Sequence, residues 1–110
     1  MHRTRMNSST AIETIRRDVG ICMFDLYGTV VDMQGGLTRA AAPYRRAAEI
    51  MGARAGEILF VANHAFDCVG AKASGMRAAF VDRRKRPFGD WPYQPDLVVA
   101  GFKELAELLA

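Results

Sequence analysis

Cysteine is scarce in this sequence: Cys22 and Cys68 are the only two among 110 residues. They form no CxxC pair, which excludes a disulfide framework and a cysteine-based zinc site, and a reducing, cytoplasmic setting follows as the expectation. No apolar run approaches the roughly 18 residues that a membrane span needs, so no membrane partner is expected. Charge of one sign is in only slight excess, at a net +3. Its local sources are the N-terminal segment and "RRKR" at 83–86. Four basic residues without a binding fold read as a solvated loop, and no nucleic acid is expected as a partner. The opening stretch "MHRTRMNSSTAI" has no acid and no apolar h-region. Residues 1–18 are read as a flexible basic tail and 19–110 as one core domain, since the length allows a single modest core.

Short apolar runs stand out against this background. Val19–Asp25, Glu57–Ala62, Arg77–Asp82 and Asp96–Ala100 each have the length and the Val/Ile/Phe content of a buried strand. Between them, 40–51 is Ala-rich and helical in period, with Gly52 as its stop. Residues 67–76 read as a helix opening on Asp67 and closing at Gly75. The long loop 83–95 is broken by three prolines, and 101–110 closes the chain as an amphipathic helix with Leu105, Leu108 and Leu109 on one face. Strands alternating with helices predict a parallel α/β sheet of about four strands.

Ligands of such sheets bind beyond the carboxyl ends of the strands. The stretch "FDLYGTVVD" at 24–32 puts an acid there, and a carboxylate at that place can act as a nucleophile. Gly28 permits the tight turn after it, Thr29 can hold its rotamer, and Tyr27 offers an aromatic wall or a hydroxyl. Asp67, in the loop after the second strand, either caps a helix or activates a hydrolytic water. His64 has no His, Cys or Glu partner at ligand spacing, so no metal is expected. Cys68 falls near a helix start, a position that lowers a thiol pKa, but nothing else marks it as reactive.

The stretches "FDLYGTVVD", "ILFVANHAFDCVGAKASGMRAAFVDR" and "PDLVV" together resemble the haloacid dehalogenase superfamily, and within it the type II (S)-2-haloacid dehalogenases. The resemblance implies a Rossmann-like core and hydrolytic dehalogenation of (S)-2-haloacids to (R)-2-hydroxy acids through an ester on Asp25. It implies no cofactor. Asp25, Thr29, His64 and Asp67 fall at catalytic positions, and Leu26, Tyr27, Tyr44 and Asn63 at substrate-contacting ones. The partners implied are a small 2-haloalkanoate and water, with a homodimer left open.

The sequence departs from that pattern in several places. Ala62 stands where the family has a catalytic serine, His64 where most members have asparagine, and Thr38 where a lysine is expected. "VVDMQGGL" passes directly into "TRAAAPYRRAA", where full members insert a helical cap and a further central strand, so an internally shortened core without a cap is expected. Two other readings stay open. One is a non-catalytic remnant or interaction module; the other is a magnesium-dependent small-molecule phosphatase, against which Tyr27 speaks because phosphatases carry an acid there.

Overall fold

The computed structural model describes residues 7–25 and 36–110. The sheet has four parallel strands in the order β1 (Ile21–Phe24), β2 (Ile58–Ala62), β3 (Arg77–Val81) and β4 (Leu97–Val99). Helices α1 (Ser9–Asp18), α2 (Gly36–Met51), α3 (Ala65–Ala73) and α4 (Phe102–Leu109) complete the α/β architecture. Among the described residues, no helix is long and apolar enough to cross a membrane.

The central strands β2 and β3 are buried almost throughout, as continuous apolar runs between two helical layers must be. The period of two divides their side chains. Ile58, Phe60, Ala62, Ala78 and Phe80 pack with Tyr44, Cys68, Val69 and Ala71 of α2 and α3. Leu59, Val61, Ala79 and Val81 pack on the other face with Ile15 of α1 and Leu105 of α4. Gly52 (φ 66°) and Gly75 (φ 97°) end α2 and α3 in the left-handed region that favours glycine.

The structure departs from the sequence expectations at four points. The first concerns 1–18, expected as a flexible tail. Residues 9–18 of it are helix α1, capped by the Ser8 hydroxyl, which accepts from the Ala11 N–H at 3.0 Å. Ile15 of α1 is 1% exposed, and Arg16 Nε donates to the Leu108 carbonyl at 2.8 Å. The signal was present in the spacing of Ala11, Ile12, Ile15 and Val19, all of which pack on the same cluster. Second, β1 is not buried on both faces. Among the described residues it pairs only with β2, Cys22 is exposed, and Phe24 remains 46% exposed. Third, α2 begins before 40, which places Pro43 inside the helix. Fourth, α3 begins at Ala65 with His64 at the cap position, so Asp67 lies within the first turn and does not cap the helix.

Asp96 joins three elements. Both of its oxygens accept from Lys72 Nζ of α3 at 3.0 Å, and Oδ2 also accepts from the Ala78 N–H of β3 at 2.7 Å. Asp96→Ala leaves a largely covered ammonium and a backbone N–H without their acceptor. The expected loss is about 2 kcal/mol, read as a lower urea midpoint with an unchanged slope.

Candidate active site

Strand register brings the site together. β1 and β2 run in parallel with Phe24 opposite Val61, and the ladder continues one step further as the Asp25 N–H donates to the Val61 carbonyl at 3.0 Å. Asp25 therefore ends β1 level with Ala62, the last residue of β2. Alternation turns its side chain to the face that carries Met23, the face covered by α2 and α3. The loop Asn63–His64 and the first turn of α3 bring Asp67 to the same place.

Asp67 is 4% exposed, the one buried ionisable carboxylate among the described residues. The Tyr44 hydroxyl donates to its Oδ1 at 3.3 Å, and its Oδ2 lies 3.9 Å from Nδ1 of His64. Burial pushes the Asp67 carboxyl up to about 6, and a side-chain hydrogen bond with Asp25 and the charge of Asp25 act in the same direction. The Tyr44 hydroxyl and His64 pull it the other way. Two carboxylates held this close favour one proton, or one cation, between them.

Of the residues singled out in the sequence, Asp25, Tyr44, His64 and Asp67 converge here. Asn63 is exposed on the adjoining loop. Leu26, Tyr27, Gly28 and Thr29 lie outside the described residues. Ala62, at the position of the family's serine, is 3% exposed within the core. His64, read as having no ligand partner, acquires two through folding: ligand atoms of Asp25, His64 and Asp67 all lie within 4.8 Å of one another. No local spacing could show that, because Asp25 belongs to another strand.

Cys68 is the opposite of an activated thiol. Burial pushes it up to about 12, with the charges of Asp67, Asp25 and Asp96 adding to the effect. Its Sγ lies 3.8 Å from the Ala79 carbonyl and 4.0 Å from that of Ala62. A thiol reagent is expected to modify Cys22 alone in the native protein and Cys68 only after unfolding, which a thiol count with and without urea checks.

No protein-family model matches the chain. Over 102 residues, 93% of the chain, it is 28% identical to 44% of the (S)-2-haloacid dehalogenase 2 of Pseudomonas sp. (strain CBS-3). Over 70 residues, 64% of the chain, it is 39% identical to 29% of the enolase-phosphatase E1 of Nocardia farcinica (strain IFM 10152). Among solved structures it is similar to the L-2-haloacid dehalogenase RSc1362, with a TM-score of 0.60 and 25% identity, over 66% of this chain and 31% of that one. The chain thus spans less than half the length of the relatives it matches. In fold and in sequence the chain is similar to proteins of the haloacid dehalogenase superfamily. Its sheet is the α/β core of that fold, and the connection from β1 to α2, residues 25–35, is too short to hold a separate domain at that point.

Proposed function

We propose that the chain is a hydrolase acting on (S)-2-haloacids, with Asp25 as its nucleophile. The observation that carries this reading is the pairing of Asp25, at the carboxyl end of β1, with a buried second carboxylate on α3. Asp25 attacks C2 of the substrate, the carbon–halogen bond breaks, halide leaves with the bonding pair, and the configuration inverts. Water then adds to the carboxyl carbon of the Asp25 ester. Asp67, ionised above about pH 6, takes the proton from that water and returns it to the alkoxide oxygen as the acyl carbon–oxygen bond breaks, giving an (R)-2-hydroxy acid and free Asp25. Tyr44 positions Asp67 through its hydrogen bond, and His64 stands beside Asp67 as a proton relay to solvent. The likeness to a haloacid dehalogenase over nearly the whole chain supports the choice of substrate.

One arrangement favours a second reading. The two carboxylates and the imidazole, gathered within 4.8 Å, fit a divalent cation, and one relative is an enolase-phosphatase. A cation held by Asp25, Asp67 and His64 would neutralise charge on a phosphoryl group. Tyr27, in place of the phosphatase acid, weighs against this chemistry.

Both are tested on the purified chain by halide release from the two enantiomers of 2-chloropropionate with EDTA present, and by phosphate release from p-nitrophenyl phosphate with and without magnesium. The expected result is EDTA-resistant halide release from the (S) enantiomer alone. Magnesium-dependent phosphate release without halide release would replace the first reading by the second. Neither release would leave a non-catalytic interaction module.

A further inference from the structure

The basic run 83–86 does not belong to a loop detached from the site. Parallel register sets the carboxyl ends of β1, β2 and β3 along one edge of the sheet: Phe24 lies opposite Val61, and Ala62 opposite Phe80. The β3–β4 connection, 82–96, therefore starts two strand spacings from Asp25, about 10 Å across the sheet. It is fastened at several points. The Arg83 guanidinium lies 4.7 Å from the ring centroid of Phe102, which in turn packs edge-on against Phe24 at 5.6 Å. The Asp82 carboxylate accepts from the Arg86 N–H at 2.9 Å, closing a turn in which Lys85 takes a φ of 55°. Phe88 is buried against Phe80, and Trp91 packs on Phe66 in the first turn of α3 at 5.6 Å. The connection thus passes along the active edge, touching α4 on one face of the sheet and α3 on the other.

Arg83, Arg84, Lys85 and Arg86 are all exposed, and none forms an ion pair with another described residue. Within the connection the acids are Asp82, Asp90 and Asp96, and Asp96 is already paired with Lys72. Four cations on an anchored turn beyond the carboxyl end of β3 set a positive potential along the sheet edge that also carries Asp25 and Asp67. That potential opposes the repulsion an anionic substrate meets from Asp25 and Asp67. We propose that the 82–96 connection is an anion-recruiting strap: Arg84, Lys85 and Arg86 draw small carboxylate substrates to Asp25, and Arg83, held on Phe102, fixes the strap in place. The choice of substrate rests on the hydrolase reading; the recruitment of anions does not.

The test compares the parent chain with the triple variant Arg84→Gln/Lys85→Gln/Arg86→Gln. Trp91 is the only tryptophan and sits on the strap, so it reports the local potential without any turnover. Iodide quenching of Trp91 fluorescence, normalised to neutral acrylamide, is expected to fall about twofold or more in the variant, with the difference erased by added salt. Equal normalised quenching in the two proteins would overturn the strap. In turnover, kcat/KM for 2-chloropropionate is expected to drop about three- to tenfold at low salt with kcat unchanged, and the uncharged amide analogue is expected to show no difference. An equal loss for both substrates would also overturn it. Absence of halide release from every variant would defeat the hydrolase reading alone, and the quenching result would still decide the strap.

Discussion

Asp25→Asn releases no halide above background: a loss on the order of 10⁴-fold is expected, because an uncharged amide is a poor nucleophile toward saturated carbon. The fold gives no reason for the variant to collapse. The backbone N–H of residue 25 keeps its ladder bond to the Val61 carbonyl, and asparagine has nearly the shape of aspartate. It also removes the charge that helps to raise the Asp67 carboxyl, so Asp67 should titrate lower in the variant. Ion chromatography of released chloride, alongside a urea unfolding curve, separates lost chemistry from lost structure. Halide release within tenfold of the parent, from a folded variant, would remove Asp25 from the nucleophile's role.

Asp67→Asn is expected to act on stability and on chemistry at once. The folded protein holds the Asp67 proton more tightly than an ordinary carboxyl, whose value is 3.8. That preference stabilises the fold fully below this value and is lost as pH rises through about 6. At pH 8 the parent therefore carries an ionised carboxylate in a site that is 4% exposed, beside a second acid. Asparagine relieves both desolvation and repulsion. The variant should be more stable than the parent at pH 8 by on the order of 2 kcal/mol, with the gap closing toward pH 4. A urea series at the two pH values measures it, and a variant less stable at pH 8 would contradict the geometry. In turnover the alkylation step should survive while hydrolysis stalls. Halide then appears as a burst of about one per chain, and intact mass shows the ester on Asp25. Steady release at the parental rate would assign the water-activating role elsewhere, with His64 the nearest alternative.

The two predictions share a cause. A buried acid beside the nucleophile is poor for stability at neutral pH, and the proposed hydrolysis needs that same acid ionised. Tyr44 offsets part of the cost by donating to Asp67. Tyr44→Phe provides a graded comparison, since it removes the hydrogen bond and leaves the ring packed against Phe60.

Much of this protein is written locally. The runs 58–62 and 77–81 are strands because continuous apolar residues of that length can be buried on both faces only in a parallel sheet. Gly52 and Gly75 stop their helices because the backbone there turns left-handed, and an acid following an apolar strand marks the ligand edge. These signals act between residues a few positions apart, so the sequence alone determines the α/β class, most element positions and the candidacy of Asp25 and Asp67. Helix α1 escaped that reading because basic, polar neighbours obscure its apolar spacing, and its stability comes from docking on α4 and the sheet.

The rest was decided by packing between distant segments. Tyr44 meets Asp67, and His64 finds two carboxylates, because register and helix placement carry them to one end of the sheet. Trp91 and Arg83 fasten a basic turn near that end for the same reason. The exposure of β1, the depth of Asp67 and its raised titration follow from which strands neighbour which and which helices cover them. Those are properties of the assembled layers, and no single segment of the chain contains them.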